Sequence, residues 1–211
     1  MIILIDNGHG SNTIGKASPV LDESLVIDDA FTYNKKLREW KYTRIISTDV
    51  VDSLKAYGYD ARLLVPETTD ISLSERVRRV NTLCNKVGKN NVILLSVHAN
   101  AKGNGASWES GSGWEAWTTV GQTESDVLAE CLYKRAEKNF KGRKIRKDVA
   151  DGDSDKEENF YILRKTLCPA VLTENFFYDN LSDIRYMSSE EGVHGVVRTH
   201  VEGIIDYLQH R

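Results

Sequence analysis

His9, His98 and Glu174 each stand just past a short apolar run. Ile2–Ile5 leads into Asp6-Asn-Gly-His9-Gly10, Val92–Val97 into His98-Ala-Asn100, and Ala170–Leu172 into Thr173-Glu174-Asn175. In an open parallel sheet, functional groups gather at the carboxyl ends of the strands. If the three runs are adjacent parallel strands, two imidazoles and a carboxylate share one edge, and that donor set points to a metal site. A single histidine after a strand is more often a loop residue than a ligand. Two in equivalent positions weigh against that reading without removing it. Asp6-Asn-Gly-His-Gly is not a dinucleotide fingerprint, because the third glycine of G-x-G-x-x-G is missing. Gly8 and Gly10 are instead expected to permit the tight turn that aims His9.

A further carboxylate stands on a predicted helix over about residues 36–57, a stretch without Gly or Pro. At about 100° per residue, Thr43, Ile46, Val50, Leu54 and Tyr57 fall within about 60° of Glu39. A carboxylate on a buried stripe is costly unless paired, protonated or bound to metal. Glu39 is therefore either a ligand or a residue at a frayed helix end paired with Lys or Arg.

The elements that must position these groups follow from the pattern. Short apolar runs alternate with helical segments, which predicts an α/β fold. The expected architecture is a single three-layer domain, with a mostly parallel twisted sheet of about six strands flanked by helices. Ile2–Ile5, Ala61–Val65, Val92–Val97 and Ala170–Leu172 are the clearest strands; Trp114–Thr118 and Phe160–Leu163 are the other candidates. Ser72-x-x-Glu75 reads as a capping box opening a helix with Val77, Val80, Cys84 and Val87 on one face. Another helix is expected from Thr123 to about Phe140, and Ser188-x-x-Glu191 is expected to open the last one. Lys102–Gly113 and Lys141–Asn159 read as loops, the second a solvated surface segment with a basic half and an acidic half.

Composition excludes several classes. The 211 residues carry 28 Lys+Arg against 31 Asp+Glu, a net charge of −3, which argues against a polybasic nucleic-acid binder. No apolar run approaches the ~20 residues of a transmembrane segment. Three cysteines cannot all pair internally, and none lies in C-x-x-C spacing. Cys84 and Cys131 fall on apolar helix faces and Cys168 precedes Pro169, so all three read as buried hydrophobes and not as metal ligands. The N-terminal run has no basic n-region, long h-region or cleavage site, so no secretory signal peptide is expected in this chain.

Five ordered segments carry a resemblance that covers residues 2 to about 208. They are Asp6-Asn-Gly-His-Gly10, Glu39 placed 19 residues before the Gly58 of Ala56-Tyr-Gly-Tyr, Ser72-Leu-x-Glu-Arg-Val77, Ser96-Val-His-Ala-Asn100 and Pro169-Ala-Val-Leu-Thr-Glu174. The order resembles the zinc-dependent N-acetylmuramoyl-L-alanine amidases, which cut peptidoglycan between the glycan and its stem peptide. The resemblance implies one catalytic domain over residues 1–211. It implies one Zn²⁺ per chain held by His9, Glu39 and His98, with Glu174 as the catalytic glutamate acting on zinc-activated water. Asn100 matches the polar residue just after the second histidine, placed to face substrate or support the ligands. Phe160-Tyr-Ile-Leu-Arg164 matches the segment leading into the last catalytic strand, and Arg164 is a candidate for binding a stem-peptide carboxylate. Trp108, Trp114 and Trp117 are candidates for sugar stacking or strand packing. His194, His200 and His210 read as surface or core-edge residues.

The chain departs from the family pattern in two informative places. Ala17–Lys36 is longer than the usual connection, and its Glu23 competes with Glu39 as the carboxylate ligand. After Glu174 the family usually shows a glycine one residue on; here Phe176 stands there. The alternatives to an amidase are another zinc amidohydrolase or carboxypeptidase on the same scaffold, or a non-catalytic peptidoglycan-binding domain. The expected partner is peptidoglycan, with a separate targeting or activating protein as a further expectation. The expected life history is synthesis in the cytoplasm and action on the cell wall after release, as a phage or prophage lysin, or else the chain is a piece of an exported enzyme.

Overall fold

The structure is a computed structural model that describes residues 1–150 and 152–210. Its centre is β5 (Val92–Asn100), whose residues Val92 to Val97 are all buried. Side chains alternate across a strand, and here both faces are covered. Ile93, Leu95 and Val97 join one apolar cluster, whereas Val92 and Leu94 join another. The neighbouring β1 (Ile2–Asn7) divides in the same way, Ile3 and Ile5 to one side and Leu4 to the other.

Six strands form the sheet: β1, β4 (Asp60–Leu63), β5, β6 (Trp114–Thr118), β7 (Lys156–Glu157) and β8 (Ala170–Phe177), in the order β4-β1-β5-β8-β6-β7. Every pairing is parallel except β6 with β8. One face packs against α1 (Glu39–Ala56), α3 (Glu124–Asn139) and α6 (Glu190–Gln209), the other against α2 (Leu73–Val87) and α4 (Tyr161–Lys165). The expected three-layer α/β domain is therefore present. No described helix is long and apolar enough to cross a membrane.

Several local expectations are corrected. Phe160–Leu163 is not a strand; Tyr161–Lys165 is α4, and the sixth strand is the two-residue β7. The last helix is capped by Ser189, not Ser188, because a short α5 (Leu181–Met187) occupies the residues before it. Its buried stripe includes Gly192, Gly195 and Gly203. A Cβ on Gly203 would stand 2.7 Å from Leu132, and this close approach lets α6 pack on α3. The segment 141–159 is not merely solvated, since Ile145 bridges to Trp114 and Asp155 is buried. The long connection before α1 is ordered by the hairpin of β2 (Thr32–Tyr33) and β3 (Lys36–Leu37), with Leu25, Phe31 and Leu37 in the core.

Candidate metal centre

The carboxyl ends of β1, β5 and β8 lie side by side, and His98 stands directly opposite Glu174 in the β5–β8 register. From β1 the chain turns through Gly8-His9-Gly10, with His9 itself at φ 64°. The flanking glycines serve by having no side chain. A Cβ on Gly8 would overlap the His98 ring, and one on Gly10 would overlap the Asp70 backbone. The turn is clamped from both layers. Thr43 Oγ1 of α1 donates to the Gly8 carbonyl (2.9 Å). Arg76 of α2, 2% exposed, donates to Asp6 Oδ1 (2.5 Å), the Asn7 carbonyl (2.8 Å) and Asp70 Oδ1 (2.9 Å).

Glu39 opens α1, where the helix dipole favours a negative charge, and it is 1% exposed. Among the described residues its ion-pair partners are imidazoles. His9 Nε2 lies 3.3 Å from Oε2, and His98 Nδ1 lies 3.2 Å from Oε1, which also accepts the Ala99 N–H (3.1 Å). The two rings are perpendicular with centroids 5.1 Å apart. One ligand atom from each of His9, Glu39 and His98 lies within 4.8 Å of the others, so the three can hold one metal ion. The competing Glu23 is exposed and outside this group.

The electrostatics fit a cation held between these residues. Burial lowers the His9 pKa to about 4, with Glu39 opposing and His98 adding to the shift. Burial resists ionisation of Glu39, but the His98 hydrogen bond and the His9 charge outweigh it and lower its pKa. Burial likewise resists a charge on His98, but Glu39 outweighs it and raises that pKa. Glu39 Oε2 and Glu174 Oε2 are both buried without a hydrogen bond. Burial pushes Glu174 up to about 8; Glu39 and Glu115 act the same way and His98 opposes them. A cavity of about 320 Å³ joins Lys16, Glu39, His98, Asn100, Glu174 and Tyr178.

The family model of the N-acetylmuramoyl-L-alanine amidases matches residues 3–206. The chain belongs to that family. It is 26% identical over 209 residues to the N-acetylmuramoyl-L-alanine amidase CwlM of Bacillus licheniformis, covering 96% of this chain and 66% of that one. It is also 26% identical over 211 residues to the endolysin of Bacillus phage SPP1, covering 98% of this chain and 66% of the endolysin. The chain thus spans just under two thirds of the length of these curated relatives. Among solved structures, the amidase AmiC2 of Nostoc punctiforme shares the fold with a TM-score of 0.74 and 23% identity, covering 99% of this chain and 97% of that one.

Between His98 and Asn100 the register with β8 shifts, so that Asn175 and Phe176 oppose the single Ala99. Phe176 lies at φ 67°. The bulge is held by Asn175, which donates to the His98 carbonyl (2.9 Å) and accepts from Trp114 Nε1 (2.8 Å). Phe176 is fully buried against Phe140 and Tyr186, each at a centroid distance of 5.1 Å.

The structure separates the remaining candidates. Asn100 is beside Glu174 in the cavity and donates to Glu115 Oε1 (2.8 Å). Arg164 is exposed and lines a different cavity with Lys89, Asn90 and Pro169, at the end of the sheet where β5 and β8 begin, so it is not brought to the site. Trp114 is packing, edge-on to Tyr133 at 5.1 Å, and Trp117 lies under Lys156. His194 and His210 are exposed, but His200 is fully buried. The three cysteines are buried and free, as expected.

Sequence reasoning missed Glu115. It is 2% exposed and stands opposite Glu174 in the antiparallel β6–β8 pairing. Arg146 Nε (2.5 Å) and Lys156 Nζ (3.2 Å) neutralise its Oε2. The available signal was a lone carboxylate inside the apolar run Trp114–Thr118, which is the same anomaly that singled out Glu39.

Proposed function

We propose that residues 1–211 form a zinc-dependent N-acetylmuramoyl-L-alanine amidase domain that hydrolyses the amide between the lactyl group of N-acetylmuramic acid and L-alanine. The observation that carries this reading is the convergence of His9, Glu39 and His98 with the unpaired Glu174 oxygen in the adjoining cavity. Two imidazoles and one carboxylate match a catalytic zinc set, which leaves a position open to substrate or water. Zinc bound there supplies Lewis-acid polarisation of the scissile carbonyl and acidifies water near neutral pH.

The chain's own residues supply the rest. Glu174 takes a proton from the attacking water and delivers it to the departing amine nitrogen, a role that contributes ~10²–10⁴-fold in rate. Burial alone holds this carboxyl protonated; a cation held by His9, Glu39 and His98 would favour its ionised, proton-accepting form. Asn100 fixes the cavity wall beside it, and Glu115, neutralised by Arg146 and Lys156, fixes Asn100. Peptidoglycan places the site of action at the cell wall. With a net charge of −3 these residues have no general attraction to an anionic wall.

The test is digestion of purified peptidoglycan followed by mass spectrometry. Released peptides with a free N-terminal L-alanine are the expected product; any other new terminus identifies a different amidohydrolase, and none at all indicates a binding domain. Glu174→Gln is expected to keep one zinc per chain while losing ~10²–10⁴-fold in turnover. His98→Ala is expected to lose the zinc as well.

A further inference from the structure

A second group of acidic side chains converges away from the strand ends that carry His9 and Glu174. Asp126 lies in the first turn of α3, and Asp153 and Asp155 lie in the segment leading into β7. One carboxylate oxygen from each lies within 4.8 Å of the other two. Asp155 is 1% exposed.

One oxygen of each carboxylate has a partner. Thr118 Oγ1 donates to Asp155 Oδ2 (2.5 Å), Gln122 Nε2 donates to Asp153 Oδ2 (2.6 Å), and Asp126 Oδ2 caps the Thr123 N–H. Two others have none: Oδ1 of Asp153 and Oδ1 of Asp155 are buried and hydrogen-bonded to nothing. Among the described residues, no lysine, arginine or histidine forms an ion pair with any of the three. Carboxylates gathered out of water need a compensating positive charge. Burial, reinforced by Asp153 and Asp126 and opposed by Thr118, pushes the Asp155 carboxyl up to about 7.

Two arrangements can relieve this repulsion, a shared proton or a bound cation. One proton neutralises one of the three charges and leaves two. A divalent cation neutralises two and gives the orphaned oxygens partners. A groove of about 330 Å³, bordered by Gln122, Asp126, Lys134, Asp153 and His210, reaches two of the three carboxylates. The donors are all hard oxygens, unlike the mixed set at His9, Glu39 and His98, and this favours calcium or magnesium over zinc. Calcium accepts six to eight oxygens in irregular geometry, whereas magnesium demands a near-ideal octahedron and keeps most of its water. Three carboxylates from two separate segments suit the larger ion.

We propose that Asp126, Asp153 and Asp155 form a calcium site that ties the segment before β7 to the start of α3. Lys156, which follows Asp155 as the first residue of β7, pairs with Glu115, so the ion braces the wall of the catalytic cavity from outside it. The proposal does not depend on the amidase reading.

Chelator-treated protein is titrated with calcium chloride while its thermal unfolding is followed, and calcium uptake is measured by equilibrium dialysis. Wild type is expected to bind one calcium, and its Tm to rise by about 5–10 °C at 100 times Kd. Asp153→Asn and Asp155→Asn are each expected to weaken uptake by at least about tenfold, because ligand charge sets affinity at such sites. Asp153 is the less buried of the two, and its variant supplies the test if Asp155→Asn fails to fold. No uptake by wild type, or undiminished uptake by the folded variants, overturns the site. An equal Tm response to magnesium overturns its assignment to calcium.

Discussion

Two turns at the same edge of the sheet hold a non-glycine residue at positive φ, and different forces hold them there. His9 leaves β1 at φ 64°, between glycines, gripped by polar contacts from α1 and α2. Phe176 bulges from β8 at φ 67°, locked by aromatic packing against Phe140 and Tyr186. A left-handed residue with a side chain costs ~1–2 kcal/mol, and such strain persists only where the surroundings over-determine it. At His9 the strain aims a ligand, so that turn answers to charge and to close approach. At Phe176 it displaces the backbone beyond Glu174, and that turn answers to volume.

The sharpest way to break this contrast is at Gly8. Gly8→Ala drives a methyl into the His98 ring. Misplacement of a reacting group by about 1 Å can cost ~10²-fold, so kcat/KM is expected to fall at least ~10²-fold and metal content to fall with it. Normal metal content and turnover would show that the β1 turn tolerates bulk.

The next effects are on stability. Arg76→Met leaves Asp6 buried without its cation and is expected to cost ~3–5 kcal/mol in denaturant unfolding. Phe176→Ala is expected to cost a similar ~3–5 kcal/mol through lost packing, while the metal ligands stay bound. If Phe176→Ala instead released the metal, the two turns would not be independent.

Acid tests the β8 side through His200. Thr173 Oγ1, which accepts from Asn175, donates to its Nε2 (2.9 Å), and its Nδ1 donates to the Val196 carbonyl (2.8 Å). Burial lowers its pKa from 6.5 to about 4. Between those values the unfolded chain binds more protons than the folded one. Stability is therefore lost as pH falls from about 6.5 to about 4, by up to ~3 kcal/mol in total. His200→Asn is expected to flatten that part of the stability–pH curve, and an unchanged slope would assign the acid sensitivity elsewhere.

The smallest effect sharpens the comparison most. Phe176→Gly loses the same ring as Phe176→Ala but relieves the left-handed strain, so it is expected to be ~1 kcal/mol the more stable of the two. Equal stabilities would mean that the bulge carries no strain.

Much of this was legible from residue order. The apolar run before His98 fixes a buried central strand, and the functional types after three such runs mark one sheet edge. The helical period puts Glu39 on a buried face. Those signals are local: they depend on periodicity and on the rule that buried charge needs a partner. The sixth strand and Glu115 were not legible in the same way. Two-residue β7 has too few residues for a period. Glu115 acquires its role only from the antiparallel pairing that sets it opposite Glu174.

The sequence by itself thus determined the donor types, the layered α/β class and the candidate ligands His9, Glu39 and His98, because each is written within one element and its flanking turn. Only the tertiary structure decided that Glu39 and not Glu23 meets the histidines, that Arg164 stands at the far end of the sheet, and that three aspartates converge with unpaired oxygens. Those outcomes are distances between segments far apart in the chain, and only the packing of the layers sets them.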